Sequence, residues 1–207
     1  MSPSDDLDLN NAVEVLRQGG LVAYPTDTLY GLGAHAFLKE AVDRVYAAKG
    51  RQGQKAVPLL LSSTQDLRLV ADKVPELAVA LANRFWPGAL TLVVRCSAVV
   101  PRQVTGGGNK VAVRVPGHPV PRELVRRLEA PITGTSANRS GGANPVSADD
   151  VRAQLGTLVD VIIDGGPCPG DRPSTVVDVT GERPVLVREG VVSRDDVEEV
   201  CGALLHS

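Results

Sequence analysis

The sequence predicts a single α/β domain over residues 1–207, built on a twisted, open β-sheet with helices packed against it. Short apolar runs typical of strands alternate along the chain with segments of helical periodicity. A chain of 207 residues has the length of one well-buried domain. The TGER segment (180–183) joins two strand-like runs closely enough to form a hairpin, so the sheet is expected to be mixed rather than purely parallel.

The predicted strands are apolar runs with few polar interruptions. Such runs are typical of strands covered on both faces, because neither face of the sheet then meets water. Seven of them occur, at residues 21–25, 57–62, 89–95, 111–116, 159–164, 174–179 and 184–189.

Capping residues mark where helices begin. In a capping box, a serine and an acidic residue three positions later satisfy each other's backbone N–H groups in the first turn. The pattern Ser-x-x-Asp predicts three such beginnings, at Ser63, Ser147 and Ser193. The last predicts a C-terminal helix over about 193–206, after a motif-bearing core over about 9–192. Pro75 is predicted at the first position of a further helix, where its missing N–H is tolerated.

The composition excludes several classes of protein. The 22 Lys and Arg residues are balanced by 24 Asp and Glu, and a formal net charge of −2 does not predict a broad surface for nucleic acid. No apolar run approaches the roughly 20 residues of a membrane helix. The first residues, MSPSDDLDLNN, are acidic and polar, which predicts an unprocessed, cytoplasmic protein. The three widely spaced cysteines predict neither a disulfide framework nor a zinc site.

Polar residues break the apolar pattern at the ends of several predicted elements, and twice inside a strand. Functional groups gathered at one edge of a sheet produce such a pattern, because each strand that ends there contributes a side chain. The residues concerned are those of segment 26–33 together with Lys49, Arg51, Arg114, Ser136, Asn138, Ser174 and Arg188. The sequence therefore predicts a site where these segments meet.

Each of these residues also has a purely structural explanation. Lys49 and Arg51 lie at the end of a predicted helix and would stabilise its C-terminal dipole. Arg114 is harmless on a solvated face, whereas in a covered strand it needs an anionic partner. Ser136 and Ser174 would bond their own backbone in turns or at strand ends. The residue types alone leave both explanations open.

Six short segments occur in a fixed order between residues 25 and 190. They are PTDTLYGLG, KGR, VRVP, SAN with SGG, STVVD and VREG. In this combination the chain resembles the YrdC-type threonylcarbamoyl-AMP synthase family, at the length of its short, single-domain members. The resemblance implies an α/β fold with a twisted sheet around a concave, positively charged cavity.

The family resemblance also implies an activity. Its members make threonylcarbamoyl-adenylate and pyrophosphate from L-threonine, bicarbonate or CO₂, and ATP, as the first step of the N6-threonylcarbamoyl modification of adenosine at tRNA position 37. The expected partners are these small molecules and the downstream tRNA threonylcarbamoyl transferase complex, with weak tRNA binding left open and no membrane. Mg²⁺ is expected to arrive with the nucleotide, and no protein-bound metal site is expected because the three histidines lack ligand spacing.

Matched motif by motif, the resemblance assigns eight residues to substrates. Threonine is placed against Thr28, Arg114 and Ser174. ATP is placed against Lys49, Arg51, Ser136, Asn138 and Arg188, with Lys49 and Arg51 also as the catalytic cations. These residue types suit the ligands, since an arginine fork binds a carboxylate and cations neutralise a triphosphate.

The first motif leads from a predicted strand into the expected site. Tyr30 would form an aromatic wall there, and Gly31 and Gly33 would let the backbone approach the ligands. The chain departs from the usual family pattern at Gln52, Ser62, Asn144, Val146 and Glu189.

Two other functions are compatible with parts of this pattern. One is a paralogue of the same fold that binds nucleotide or RNA without making the adenylate, or a relative that transfers carbamoyl groups. The retained SAN segment (136–138) favours the synthase, and the chain has no zinc-finger or acylphosphatase-like region of the carbamoyl-transfer kind. The other is an RNA-binding module without enzymatic activity. Such a module needs a basic patch and stacking aromatics, whereas this chain is slightly acidic and 3% aromatic.

Overall fold

The computed structural model of the protein describes residues 3–50, 55–170 and 172–206. Within these ranges the helices are α1 (Pro3–Arg17), α2 (Lys39–Lys49), α3 (Leu67–Val70), α4 (Glu76–Phe85), α5 (Arg102–Thr105), α6 (Pro119–Leu128), α7 (Ala148–Leu155) and α8 (Arg194–Cys201). The strands are β1 (Val22–Tyr24), β2 (Gly31–Gly33), β3 (Leu59–Leu60), β4 (Leu90–Arg95), β5 (Lys110–Arg114), β6 (Ile132–Thr133), β7 (Thr135–Ser136), β8 (Val161–Ile162), β9 (Thr175–Asp178), β10 (Val185–Arg188) and β11 (Leu205–His206). None of the helices in this part of the chain is both long and apolar enough to cross a lipid bilayer.

The strands form two mixed sheets. The smaller sheet has the order β7-β2-β1-β8, in which β1 pairs antiparallel with β2 and parallel with β8. The larger sheet has the order β11-β10-β9-β4-β5-β3-β6, and its β9 and β10 form the predicted antiparallel hairpin. The mixed α/β fold is therefore confirmed. All seven predicted strands are present, divided between two sheets rather than joined in one.

Two strands of the smaller sheet were not predicted. The residues of β2 are Gly-Leu-Gly and those of β7 are Thr-Ser, and neither is an apolar run. Their extended conformation comes from pairing, because Gly31 lies opposite both Tyr24 of β1 and Ser136 of β7. This pairing brings the first sequence motif beside the SAN segment, although more than a hundred residues separate them.

The three predicted capping boxes are confirmed. In each, the aspartate carboxylate accepts the backbone N–H of the serine, at 3.1 Å for Ser63, 2.9 Å for Ser147 and 3.3 Å for Ser193. Hydrogen bonds from the Ser147 hydroxyl and then from backbone N–H groups lower the pKa of Asp150. The first box begins a 3-10 helix, Thr64–Asp66, rather than an α-helix.

Two helix boundaries differ from the prediction. Pro75 is the N-cap of α4, with φ −64° and ψ 147°, so the first helical residue is Glu76. The C-terminal helix ends at Cys201 instead of continuing to about residue 206, because Gly202 adopts φ 70° and breaks the helical path. The chain then returns as β11, which pairs parallel with β10.

Apolar faces of the helices cover the sheets. Leu81 of α4 is fully buried in a cluster with Leu92 of β4 and Val177 of β9. On the other side, α1 buries Leu9 in a cluster with Leu124 of α6. Packing of this kind stabilises the fold by about 1.5–3 kcal/mol for each large side chain removed from water. The first cluster covers the larger sheet, whereas the second also contains strand residues of both sheets.

Candidate active site

A cavity of about 470 Å³ opens where residues of the two sheets face each other. Its lining comes from the turn after β1, from β2 and β7 of the smaller sheet, and from β3, β4, β5, β9 and β10 of the larger one. Five of the eight residues assigned from the sequence line it: Thr28, Arg114, Ser136, Ser174 and Arg188. Residues from five distant segments of the chain thus meet in one site. Arg51 lies outside the described residues.

The turn that follows β1 is held by the hydroxyl of Thr26. This oxygen accepts the backbone N–H of Thr28 at 3.0 Å and that of Leu29 at 3.2 Å, and its O–H donates to the Leu29 carbonyl at 2.7 Å. The hydroxyls of Thr26 and Thr28 lie 3.1 Å apart, and both residues are buried. Because the turn satisfies its own polar groups, Thr28 presents its hydroxyl to the cavity in a defined position.

The guanidinium of Arg114 is buried and has three protein partners. Its Nε donates to the carbonyl of Gly88 at 2.8 Å, its Nη1 to the hydroxyl of Thr28 at 3.2 Å, and its Nη2 to the carboxylate of Asp27 at 2.5 Å. A covered arginine was expected to need an anionic partner, and Asp27 supplies one from within the protein. Three of the five N–H donors are therefore used in holding the side chain, and the others have no such partner among the described residues.

Ser174 is bonded to Arg188, the second arginine of the cavity. Its hydroxyl is 2.8 Å from that of Thr91, and Arg188 donates from Nη2 to the Ser174 carbonyl at 2.8 Å and to its hydroxyl at 3.3 Å. Burial, and then the positive charge of Arg114, lower the pKa of the Arg188 guanidinium from its usual value. The two cations therefore repel each other, and an anion placed between them would relieve that repulsion.

The charges of the cavity favour an anionic ligand. Among the described lining residues, Arg114 and Arg188 are the side chains with a formal charge at neutral pH. The carboxylate of Asp27 offsets part of the charge on Arg114, so the positive potential of the whole cavity stays a prediction. The small hydroxyl residues around the arginines leave room for a ligand that carries a carboxylate and further polar groups.

Lys49 and Asn138 lie beside the cavity rather than in its lining. The Lys49 ammonium is buried and donates to the carbonyl of Ser136 at 2.5 Å, and to the carbonyl and side-chain oxygens of Asn138 at 2.8 and 3.1 Å. The side-chain amide of Asn138 donates to the carbonyls of Gly142 and Ala143. A direct bond from Lys49 to a phosphate would require some of these bonds to be exchanged, so its phosphate contact stays a prediction.

The aromatic and glycine residues of the first motif have different roles from one another. Tyr30 lines the cavity as expected, and its hydroxyl donates to the Gly166 carbonyl at 2.8 Å. Gly31 and Gly33 instead face the ring of Tyr24, since a Cβ on either would lie 2.5–2.6 Å from its carbon atoms. Burial raises the pKa of Tyr24, whose hydroxyl donates to the Thr133 carbonyl. Gly31 nevertheless lines the cavity, so its approach to a ligand stays a prediction. The expectation is corrected for Gly33 alone, which is outside the lining and whose space is occupied by Tyr24.

Three residues of the site have no role assigned to them from the sequence. Asp27 lies inside the first motif, but nothing in its surroundings showed which arginine it would meet. Thr26 was noted only as a member of segment 26–33. Thr91 is a polar residue inside an apolar strand, the same kind of signal that singled out Arg114, and was overlooked.

The two-sheet fold and the cavity together define an α/β protein with a candidate ligand site between its sheets, lined by two arginines and small hydroxyl residues. A family model for the Sua5/YciO/YrdC proteins, described as "Telomere recombination", matches residues 14–190. The chain belongs to this family, as its six sequence motifs predicted.

Known relatives agree with this assignment. The chain is 44% identical over 193 residues to a threonylcarbamoyl-AMP synthase of Pyrococcus abyssi, covering 93% of this chain and 57% of that protein. The structure of P. abyssi Sua5 complexed with L-threonine superposes with a TM-score of 0.93 at 42% identity, over 96% of this chain and 58% of that one. Escherichia coli YciO superposes with a TM-score of 0.84 at 31% identity, over 95% of both chains. The chain therefore spans little more than half the length of the P. abyssi protein and nearly the full length of YciO.

Proposed function

We propose that the protein is a threonylcarbamoyl-AMP synthase, a nucleotidyltransferase that makes this adenylate and pyrophosphate from L-threonine, bicarbonate or CO₂, and ATP. The observation that carries the proposal is the convergence of Thr28, Arg114 and Ser174 in one cavity from three distant segments of the chain. The likeness to a protein whose structure was determined with L-threonine supports it.

The proposed threonine site matches the groups of the amino acid. Its carboxylate would accept hydrogen bonds from the remaining N–H groups of the Arg114 guanidinium, because arginine and carboxylate groups form strong, charge-assisted hydrogen bonds. The hydroxyls of Thr28 and Ser174 would bond the remaining polar groups of the substrate. Thr28 is held by Arg114 and Ser174 by Arg188, so both hydroxyls are oriented before the substrate arrives.

The proposed nucleotide site lies at the same cavity. Ser136 and Arg188 line the cavity, and the side chain of Asn138 accepts a hydrogen bond from the Ser136 hydroxyl. Arg51 is proposed for this site from the sequence motif alone. Within the described ranges, no group of three or more His, Cys, Asp or Glu residues could hold a metal ion. We therefore treat Mg²⁺ as part of the substrate, Mg-ATP, bound through the phosphates.

The proposed reaction needs positioning and charge more than a protein nucleophile. The threonine amine first adds to CO₂ to give a carbamate, whose oxygen then attacks the α-phosphorus of ATP while pyrophosphate leaves. Because the carbamate is itself the nucleophile, the protein has to align it with the phosphorus and stabilise the developing negative charge. Arg188, with Arg51, would supply that stabilisation.

The wider role is proposed on the same basis. The adenylate would be passed to a tRNA threonylcarbamoyl transferase complex for modification at tRNA position 37, in the cytoplasm. The single-domain extent over residues 1–207 and weak tRNA binding stay predictions.

The test is pyrophosphate release with each substrate omitted in turn, together with mass spectrometry of the adenylate. We expect release only when ATP, bicarbonate and threonine are all present, since no nucleophile exists before the carbamate forms. Release from ATP alone, or equally with alanine in place of threonine, would contradict the proposal. Nucleotide binding without any release would instead favour the paralogue that makes no adenylate.

A further inference from the structure

Lys49 is unusually buried for the last residue of a helix. It ends α2, yet its relative exposure is 2%. Lysine is almost never so buried unless acceptors surround its ammonium, because removing that charge from water is costly. A cation that only complements the helix dipole would gain the same interaction while remaining solvated. The dipole therefore does not account for where this side chain lies.

Both ends of Lys49 bond the same segment. The ammonium donates to the carbonyl of Ser136 and to both oxygens of Asn138, and the backbone carbonyl of Lys49 accepts the N–H of Ser140 at 3.0 Å. Within the described ranges, three oxygens of this segment therefore accept hydrogen bonds from the ammonium. Four hydrogen bonds thus join one residue of α2 to residues 136–140.

The segment that Lys49 holds forms one edge of the cavity. Asn138 connects the start of this segment to its end, since its side-chain amide donates to the carbonyls of Gly142 and Ala143. We call residues 136–143 the SAN loop. Ser136 begins this loop and lines the cavity, and Asn144 lines the cavity directly after it. The loop is therefore attached to α2 through Lys49 and to the cavity at both of its ends.

We propose that Lys49 is a positioning residue, whose buried ammonium holds the SAN loop in the conformation that binds the nucleotide. The proposal rests on the proposed function for the assignment of that loop to ATP. It gives Lys49 a different role from the phosphate clamp expected from the sequence. A phosphate clamp acts on the triphosphate alone, whereas a loop support acts on every part of the nucleotide that touches the loop.

The experiment compares Lys49→Met with wild type in two measurements. The first is hydrogen exchange of peptides covering residues 136–143, without any ligand. The second is the dissociation constant of ATP and of adenosine, below the melting temperature of both proteins. Lys39→Met is the matched control, because Lys39 is an exposed lysine at the other end of α2.

We expect amide exchange in the SAN loop to accelerate about tenfold or more, because buried acceptors lose their donor. The dissociation constants of ATP and of adenosine should both rise, and by the same factor as each other. The affinity for threonine should stay within twofold of wild type. Lys39→Met should change none of these quantities. If Lys49→Met does not fold, Lys49→Arg serves in its place, because the bulkier, planar guanidinium keeps the charge but does not reproduce the tetrahedral donor geometry, and faster exchange than in wild type is again expected over residues 136–143.

Three results would overturn the proposal: unchanged exchange in the SAN loop, loss of ATP binding with adenosine binding retained, or an equal loss of threonine binding. Retained adenosine binding would assign Lys49 to the phosphates. If wild type binds neither ATP nor adenosine, the proposed function fails, and the exchange experiment still decides whether Lys49 positions the loop.

Discussion

The guanidinium of Arg114 donates to the carboxylate of Asp27 at 2.5 Å, so the residue assigned to the substrate carboxylate already has an anionic partner within the protein. The pair is largely removed from solvent, with side-chain exposures of 8% and 24%. A bound threonine would therefore share the guanidinium with Asp27 instead of neutralising an isolated charge. We expect Asp27 to stabilise the guanidinium in the absence of a ligand and to compete electrostatically with a bound carboxylate.

The ion pair between Arg114 and Asp27 predicts two opposite effects of Asp27→Asn: the protein without ligand becomes less stable, and threonine stabilises it more. The amide can still accept a hydrogen bond from Arg114, but the arginine loses its compensating charge. We expect the free energy of unfolding to fall by about 1–3 kcal/mol without ligand, less than for a fully buried pair. Threonine should then raise the melting temperature of the variant more than that of wild type, because its carboxylate replaces the missing charge.

The control for this change is Asp149→Asn. Asp149 pairs with Arg152 at 2.6 Å, but the two side chains are 89% and 51% exposed. Exposed pairs contribute little, so we expect a change within about 0.5 kcal/mol and no effect of threonine. An Asp27→Asn variant that melts like wild type would show that the ion pair does not stabilise the site.

Removing the guanidinium itself should weaken threonine binding selectively. We expect Arg114→Ala to cost about 2–5 kcal/mol of threonine affinity in calorimetry and to leave ATP affinity nearly unchanged, because Arg114 is assigned to the amino acid alone. Arg95→Ala, at an exposed arginine of β4, is the control and should bind as wild type does. Unchanged threonine affinity in Arg114→Ala would remove this residue from the substrate site.

The packing of Gly33 against Tyr24 predicts a loss of stability that leaves the ligands unaffected. A Cβ at Gly33 would lie 2.6 Å from a ring carbon of Tyr24, so Gly33→Ala should lower the free energy of unfolding by about 1–3 kcal/mol through overpacking. Gly108→Ala is the control, since its nearest neighbour would be 3.4 Å away. Chemical denaturation and threonine titration check both changes. A Gly33→Ala variant of normal stability that binds no threonine would instead support the expectation that Gly33 makes room for a ligand.

The half-buried imidazole of His118, which caps α6, is expected to make the protein less stable in mild acid. Its Nδ1 accepts the N–H of Val120 at the start of α6, and this requires the neutral ring. Burial lowers the pKa of His118, while the negative charge of Asp27 offsets part of that effect. The unfolded chain then takes up a proton near pH 6.5 that the folded protein takes up only at lower pH. Stability should therefore decrease as the pH falls through about 6.5.

His118→Asn isolates this contribution, because asparagine keeps a side-chain acceptor at the N-cap and does not titrate. Urea unfolding at pH 7.5 and 5.5 should show a smaller decrease for the variant than for wild type. An equal decrease in both proteins would assign the acid sensitivity to other groups, such as His35, whose pKa burial also lowers.

Much of the fold could be predicted from local patterns. Apolar runs located seven strands, because a strand covered on both faces must be apolar whatever its partners are. Ser-x-x-Asp located three helix starts, because the groups of a capping box lie within one turn of chain. The hairpin of β9 and β10 could be predicted because only the four residues 180–183 link the two apolar runs. These features depend on neighbours in the sequence.

The sequence by itself determined the family, the mixed α/β class and the segments that carry the candidate site. Only the tertiary structure decided that Gly31–Gly33 and Thr135–Ser136 are strands, that Asp27 is the partner of Arg114, and that Lys49 is buried beneath the SAN loop. In each of these cases the conformation or charge of a residue is set by a group about ninety or more positions away along the chain. Pairing, burial and desolvation over such separations leave no periodic signal in a single sequence, because they depend on how the sheets and helices pack.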